Sequence, residues 1–183
     1  DIKENENLIR QSEIFRRAIL DSLSAHIAVL DKSGEIVAVN NAWERFAQAN
    51  CIQEKLTTTG IGQNYLKVCE SCDAFDDETK EVIKNLRAVL DGKSDEFSIE
   101  YPCYSPTDER WFLLQVTSLK SEKGGAVVSH IDISDRKRAE TELKINEEFA
   151  RSIFENSPDC VKVLELDGTL HSMNKNGLCI MDI

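Results

Sequence analysis

The chain has 183 residues and a net charge of −11, with its basic residues scattered rather than gathered, which argues against nucleic acid as the main partner. No apolar run approaches the ~18–20 residues of a membrane span, and there is no signal-peptide core. The glycine-rich phosphate loop, HExxH and GxSxG boxes are all missing, so catalysis is not expected within this segment.

Residues 2–23 predict an amphipathic helix with Leu8, Phe15, Ile19 and Leu23 along one stripe. The stretch from His26 to Asn40 reads as a β-hairpin: two Ile/Val-rich runs flank Asp31-Lys32-Ser33-Gly34, whose glycine can take positive φ. Asn40 then caps a short helix carrying Trp43, Phe46 and Ala47 on one face.

Thr57 to Gly62 is loop-like, and Tyr65 to Cys69 supplies about one helical turn. Asp76 or Asp77 can cap the next helix, whose stripe is Val82, Ile83, Leu86, Val89 and Leu90 and whose stop is Gly92. Three strands follow, around Phe97–Tyr101, Trp111–Thr117 and Gly125–Ile133, with Pro102 and Pro106 bracketing a turn at Ser105. This order predicts an α+β domain with one antiparallel sheet.

From Asp135 the pattern becomes charged and helical, and Ala139, Leu143, Asn146, Ala150 and Ile153 recur at 4-3-4-3 spacing. That is a coiled-coil seam of about two heptads, marginal alone. The hairpin then recurs: at an offset of 134 residues Phe15 falls on Phe149, Val29 on Val163, Leu30 on Leu164, Gly34 on Gly168 and Asn40 on Asn174. The expected organisation is an entry helix over 1–22, a domain over 23–134, a helix over 135–156 and the opening of a second, truncated copy over 157–183. The start at Asp1 suggests a fragment of a longer chain.

Six cysteines at irregular spacings suggest reduced thiols in cytoplasm. Cys69-Glu-Ser-Cys72, with Cys51 and Cys103, offers four thiolates to zinc or an iron–sulfur cluster, or a redox dithiol. The spacing outside CxxC fits no defensible ligand pattern, so small buried side chains are the preferred reading and no metal is assigned.

The hairpin ending in Asn40, the Gly34 turn, Trp43, the closing strand His130-Ile-Asp-Ile-Ser134 and the following Asp135-Arg-Lys-Arg resemble the PAS domain, the sensory module of bacterial signalling proteins. Asp132-Ile133-Ser134 is similar to the Asp-Ile-Thr with which such domains commonly end. The resemblance implies a five-stranded antiparallel sheet with helices on one face enclosing a ligand pocket. It also implies a signalling helix and dimerisation through the terminal helices, without membrane contact by this segment.

The implied function is detection of a small ligand or redox state, relayed to an output domain absent here. A histidine kinase of a two-component system comes first. The alternative is a ligand-free dimerisation or relay module in a cyclic-dinucleotide protein, a diguanylate cyclase or phosphodiesterase. Pocket candidates are Asn40, Trp43, Asn64, Tyr65, Tyr101, Trp111 and His130; relay candidates are Asp132, Ser134 and Arg136. No cofactor is assigned. Light-sensing relatives carry a cysteine where this chain has Tyr65, which disfavours a covalent flavin adduct and leaves non-covalent flavin open. Residues 77–91 contain no histidine, which disfavours haem.

Overall fold

The computed structural model describes residues 2–49, 60–70, 77–104, 109–121 and 124–180. The chain divides into two compact units, Asp1–Ser134 and Asp135–Ile183.

The first unit contains α1 (Ile2–Ser22), β1 (His26–Leu30), β2 (Ile36–Val39), α2 (Asn41–Ala49), α3 (Tyr65–Glu70), α4 (Asp77–Leu90), β3 (Glu96–Tyr104), β4 (Glu109–Ser118) and β5 (Ala126–Asp132). The five strands form one antiparallel sheet in the order β2-β1-β5-β4-β3. The last strand is therefore central, between β1 and β4.

Why the hairpin turns where it does follows from Asp31. Its Oδ1 accepts hydrogen bonds from Ser33 N (2.8 Å), Ser33 Oγ (2.7 Å) and Glu35 N (2.9 Å), while Gly34 sits at φ +83°. These bonds hold the aspartate below its ordinary pKa, the Ser33 hydroxyl acting most strongly. A side chain that bonds the backbone just ahead of it is an Asx turn, and glycine supplies the left-handed residue.

Alternation along β4 buries Phe112, Leu114 and Val116 and leaves Trp111, Leu113 and Gln115 half-buried on the opposite face. The inner face meets Leu86 and Val89 of α4, Trp43 of α2 and Tyr65 of α3, forming one core with Leu30, Ile36 and Val128. Full burial of side chains such as Leu30, Ile36 and Leu86 stabilises the fold by roughly 1.5–3 kcal/mol each. After α4 the chain stops at Gly92 (φ +72°), and Lys93 N reaches back to Ala88 O at 2.8 Å, a C-terminal capping bond.

Pro102 is one departure from the expected pattern. It is not in a turn but inside β3, opposite Trp111. Since β3 is an edge strand, a residue without N–H costs no ladder bond there. Pro106, Ser105 and Asp76 lie outside the described residues.

The second unit holds α5 (Ser134–Asn156), whose first residue closes unit one, then β6 (Lys162–Leu164), β7 (Leu170–Met173) and α6 (Lys175–Ile180). β6 and β7 pair as an isolated hairpin. Along α5 the exposed apolar side chains are Leu143, Ile145, Phe149 and Ile153. Ile145 and Phe149 fall outside the 4-3 seam, so the bare stripe is broader than a two-stranded heptad seam.

Candidate functional site

The site is built on β5. His130 points to the inner face, between β1 and β4, where His26 and Leu114 are its strand neighbours. Two tyrosines converge on its ring: Tyr65 Oη lies 3.0 Å from Nε2 and Tyr101 Oη lies 2.6 Å from Nδ1.

Each tyrosine arrives by a definite route. The segment before α3 runs along the outer edge of β2, with Ile36 N bonded to Gln63 O, Gly62 N to Ile36 O and Tyr65 N to Gly34 O, each at 2.8 Å. These bonds deliver Tyr65 over the sheet. Tyr101 sits on β3 opposite Phe112, in phase with Phe97 and Ile99, so alternation turns it inward.

Burial, reinforced by the nearby His26, pushes the His130 pKa down to about 4. The ring is therefore neutral at pH 7 and offers one N–H donor and one acceptor. Trp43 completes the surround, its ring 5.6 Å from that of His130 and 6.1 Å from that of Tyr65. Phe112 stacks beside Tyr101 at 6.0 Å and 28°. Trp43, Tyr65 and Phe112 are buried, whereas His130 and Tyr101 keep accessible surface.

Of the seven pocket candidates, Trp43, Tyr65, Tyr101 and His130 thus come together, and three stand elsewhere. Trp111 faces away from the core, because it alternates with buried Phe112. Asn64 caps α3 through Lys67 N (3.1 Å) and ties the hairpin turn through Ser33 O (2.8 Å). Asn40 is fully buried and committed to backbone: Oδ1 accepts from Ile27 N and Trp43 N, and Nδ2 donates to Leu20, Leu23 and Ala25 carbonyls.

The relay candidates lie two to six residues along the chain from His130. Asp132 Oδ1 accepts from Ser134 N (2.9 Å) and Ser134 Oγ (2.6 Å), and Ser134 Oγ accepts from Trp111 N (3.0 Å). Ile133 N bonds Trp111 O at 2.8 Å. The first residue of α5 is thereby fastened to β4 and β5. Partial burial acts to raise the Asp132 pKa, but the Ser134 bonds, Arg110 and His26 together hold it below the ordinary value. Arg136 pairs with Glu140 one turn on, at 2.6 Å and largely in solvent.

A second histidine contact was not legible beforehand. His26 stacks on Phe46 at 4.3 Å, Arg110 lies 5.8 Å from the same ring, and His26 Nδ1 is buried with no hydrogen-bond partner among the described residues. Burial lowers the His26 pKa, against the attraction of Asp132. A surface groove lined by Glu70, Ile83, Lys84 and Arg87 shares no residue with the His130 cluster.

Of the thiols, Cys51 and Cys72 lie outside the described residues, and Cys69 and Cys103 are half-buried. No group of three His, Cys, Asp or Glu side chains among the described residues is placed to hold a metal ion. No described helix is long and apolar enough to cross a membrane.

Comparison with known proteins places these features in a family context. The family model described as PAS fold matches residues 20–138. An uncharacterized 104.1 kDa protein in the hypE 3'region of Rhodobacter capsulatus is 43% identical over 120 residues, 64% of this chain and 12% of that protein. The chain thus spans about an eighth of that curated relative. Among solved structures, an RNA-binding Light-Oxygen-Voltage receptor is similar at TM-score 0.51 and 16% identity, over 75% of this chain and 37% of that one. The sensor region of a sensor histidine kinase is similar at TM-score 0.46 and 18% identity, over 61% and 40%.

Proposed function

The chain belongs to the PAS fold family, and from that premise we propose that residues 23–134 are a cytoplasmic sensory domain whose interior, at the Tyr65–His130–Tyr101 chain, takes a small molecule. The observation that carries this reading is that one strand, β5, bears both the hydrogen-bonded His130 and, two residues on, the Asp132–Ser134 clasp at the start of α5. A ligand that shifts the imidazole shifts the strand that holds the helix, and packed helices respond to such shifts in discrete steps.

The helix over 135–156 then passes the change to an output domain, a histidine kinase by preference. Residues 157–183 repeat the opening hairpin of that domain, with Leu164 and Leu170, 57% and 50% exposed, in the places of fully buried Leu30 and Ile36. The bare apolar stripes of α1 and α5 supply homodimer contacts.

Two measurements test the reading. Native mass spectrometry and the absorption spectrum of the purified chain report any co-purifying small molecule. In the full-length parent protein, Asp132→Ala is expected to change output activity at unchanged expression and unchanged small-molecule content. Wild-type output from this variant would end the relay argument, and a chain that takes up no small molecule would favour a ligand-free relay.

A further inference from the structure

We propose that the surface groove along α4 is a docking site for an acidic amphipathic helix of a partner protein. The groove has a volume of about 610 Å³ and follows the exposed face of α4 from Lys80 through Lys84 to Arg87, reaching Glu70 at the end of α3 and Lys93 beyond Gly92. The three α4 cations are spaced four and three residues apart, so they share one face of the helix over roughly 10 Å. None of these residues belongs to the His130 cluster, and the proposal does not depend on what the interior binds.

The shape favours a peptide segment. Lys80, Lys84, Arg87 and Lys93 are all exposed, so the groove covers an occupant from one side, whereas a small-molecule site ordinarily buries about 70–90% of its guest. Its floor is apolar: among the described residues Ile83 is 8% exposed without joining the core around Leu86 and Val89, and half-buried Ala88 lies one turn further along. The aliphatic stems of the flanking lysines extend that floor while their ammonium groups stay in water. An amphipathic helix laid in a groove uses this division, with apolar anchors one turn apart on the floor and polar groups at the rim.

Charge sets the sign of the partner. Of the described residues that line the groove, four are cations and two are carboxylates, a positive balance in a chain whose total is −11. An acidic segment is therefore repelled by the chain at large and attracted here, which confines it to this face. The two carboxylates do not block it. Glu70 pairs with Arg87 and Asp91 with Lys93, each at 2.8 Å between exposed side chains. Ion pairs in solvent are weak, so a carboxylate of the partner can take the place of Glu70 on the Arg87 guanidinium while Lys84 receives the carboxylate one turn away.

The test uses the whole ¹⁵N-labelled chain and two synthetic helical peptides of about four turns. One carries leucines along one face flanked by glutamates spaced four and three residues apart; the other has glutamine at every glutamate. The glutamate peptide is expected to move the backbone amide resonances of Ile83, Lys84, Arg87 and Ala88, and the glutamine peptide to bind at least about tenfold more weakly. Raising the salt from about 50 to about 300 mM should weaken the glutamate peptide several-fold. Lys84→Glu should weaken it several-fold and Lys84→Glu with Arg87→Glu should abolish it, circular dichroism checking that both variants fold, while Lys162→Glu in the second unit leaves it unchanged. Equal binding of the two peptides, resonance changes confined to other elements, or full binding by the folded double variant would each overturn the proposal. So would displacement of the peptide by pyrophosphate or by a thymidine oligonucleotide at lower concentration than the peptide itself, which would assign the groove to a small anion or to nucleic acid.

Discussion

Asn40 and Asn174, 134 residues apart and both fully buried, share four matching hydrogen bonds in their two units, Asn40 adding a fifth to Leu20 O. Asn40 Oδ1 accepts from Ile27 N and Trp43 N; Asn174 Oδ1 accepts from Val161 N and Gly177 N, at 2.9 and 3.0 Å. Asn40 Nδ2 donates to Leu23 O and Ala25 O, and Asn174 Nδ2 to Ser157 O and Asp159 O. The neighbour repeats too: Asp21 Oδ1 accepts from Asn41 N, and Glu155 Oε2 accepts from Lys175 N. In each unit the asparagine thus joins the end of the preceding helix segment, the first strand and the following helix. The segment before β1 stands to the first hairpin as the end of α5 stands to the second.

The clasp makes Asn40→Ala the most informative destabilising substitution. It removes the acceptor for two buried N–H groups and the donor to three carbonyls, and a loss of roughly 2–4 kcal/mol is expected. Asn174→Ala removes the matching bonds from a hairpin with a bare apolar face, so the main unfolding transition should hardly move. Chemical denaturation followed by tryptophan fluorescence checks both, since Trp43 and Trp111 lie in the first unit. Equal losses at the two sites would show that the second hairpin is as tightly integrated as the first.

Ser134→Ala addresses the junction between sheet and helix. It deletes the hydroxyl that donates to Asp132 Oδ1 and accepts from Trp111 N, at a cost of about 1–2 kcal/mol. It should also raise the Asp132 pKa, because the Ser134 hydroxyl helps to hold it down. The carboxylate's contribution to stability is present above the ordinary carboxylate range and fades as pH falls through the folded value, so the variant should lose it at higher pH than the parent. Carboxyl titration by NMR reads the shift directly. Ser134→Thr, which keeps the hydroxyl, is expected to restore it.

Gly125 tests how tightly the hairpins are pressed together. At φ +110° it stands where an added Cβ would lie 2.1 Å from Leu30 O, a backbone atom that cannot step aside. Gly125→Ala is therefore expected to cost at least about 3 kcal/mol. Gly168, also left-handed at φ +89°, has open space around it, and Gly168→Ala should cost about 1 kcal/mol locally at most. Hydrogen exchange at β5 separates the two, with large loss of protection expected only for Gly125→Ala.

Legibility in the sequence followed the range of the interaction. The Gly34 turn, the cap at Asn40 and the α4 stripe through Ile83, Leu86 and Val89 are set by residues within a few positions of each other, and composition displays them. The duplication made the second hairpin readable from the first. The Tyr65–His130–Tyr101 chain depends instead on the register of β4 against β3 and β5 and on the path of residues 60–65 along β2. No local pattern encodes that convergence, so its residues were readable only as separate aromatics and a histidine. Trp111 reads as a lining residue from its aromatic character, whereas strand phase decides the face and sets it opposite to buried Phe112. The stacking of His26 on Phe46 joins two elements whose approach angle only packing fixes.

The buried imidazole carries a pH signature whose sign can be worked out. His130 has a folded pKa of about 4 against an ordinary 6.5, so below pH 6.5 the unfolded chain binds a proton that the folded chain refuses. Stability from this group is fully present above pH 6.5 and is lost as pH falls from 6.5 towards 4, to the extent of about 3 kcal/mol at most. His26, lowered in the same direction by burial, adds to the slope. The midpoint of urea unfolding, measured from pH 7.5 to 4.5, should therefore fall steadily, and His130→Gln should flatten the curve above pH 5. A variant whose slope matches the parent's would mean that the ring titrates freely in the folded chain and that the two tyrosines do not enclose it.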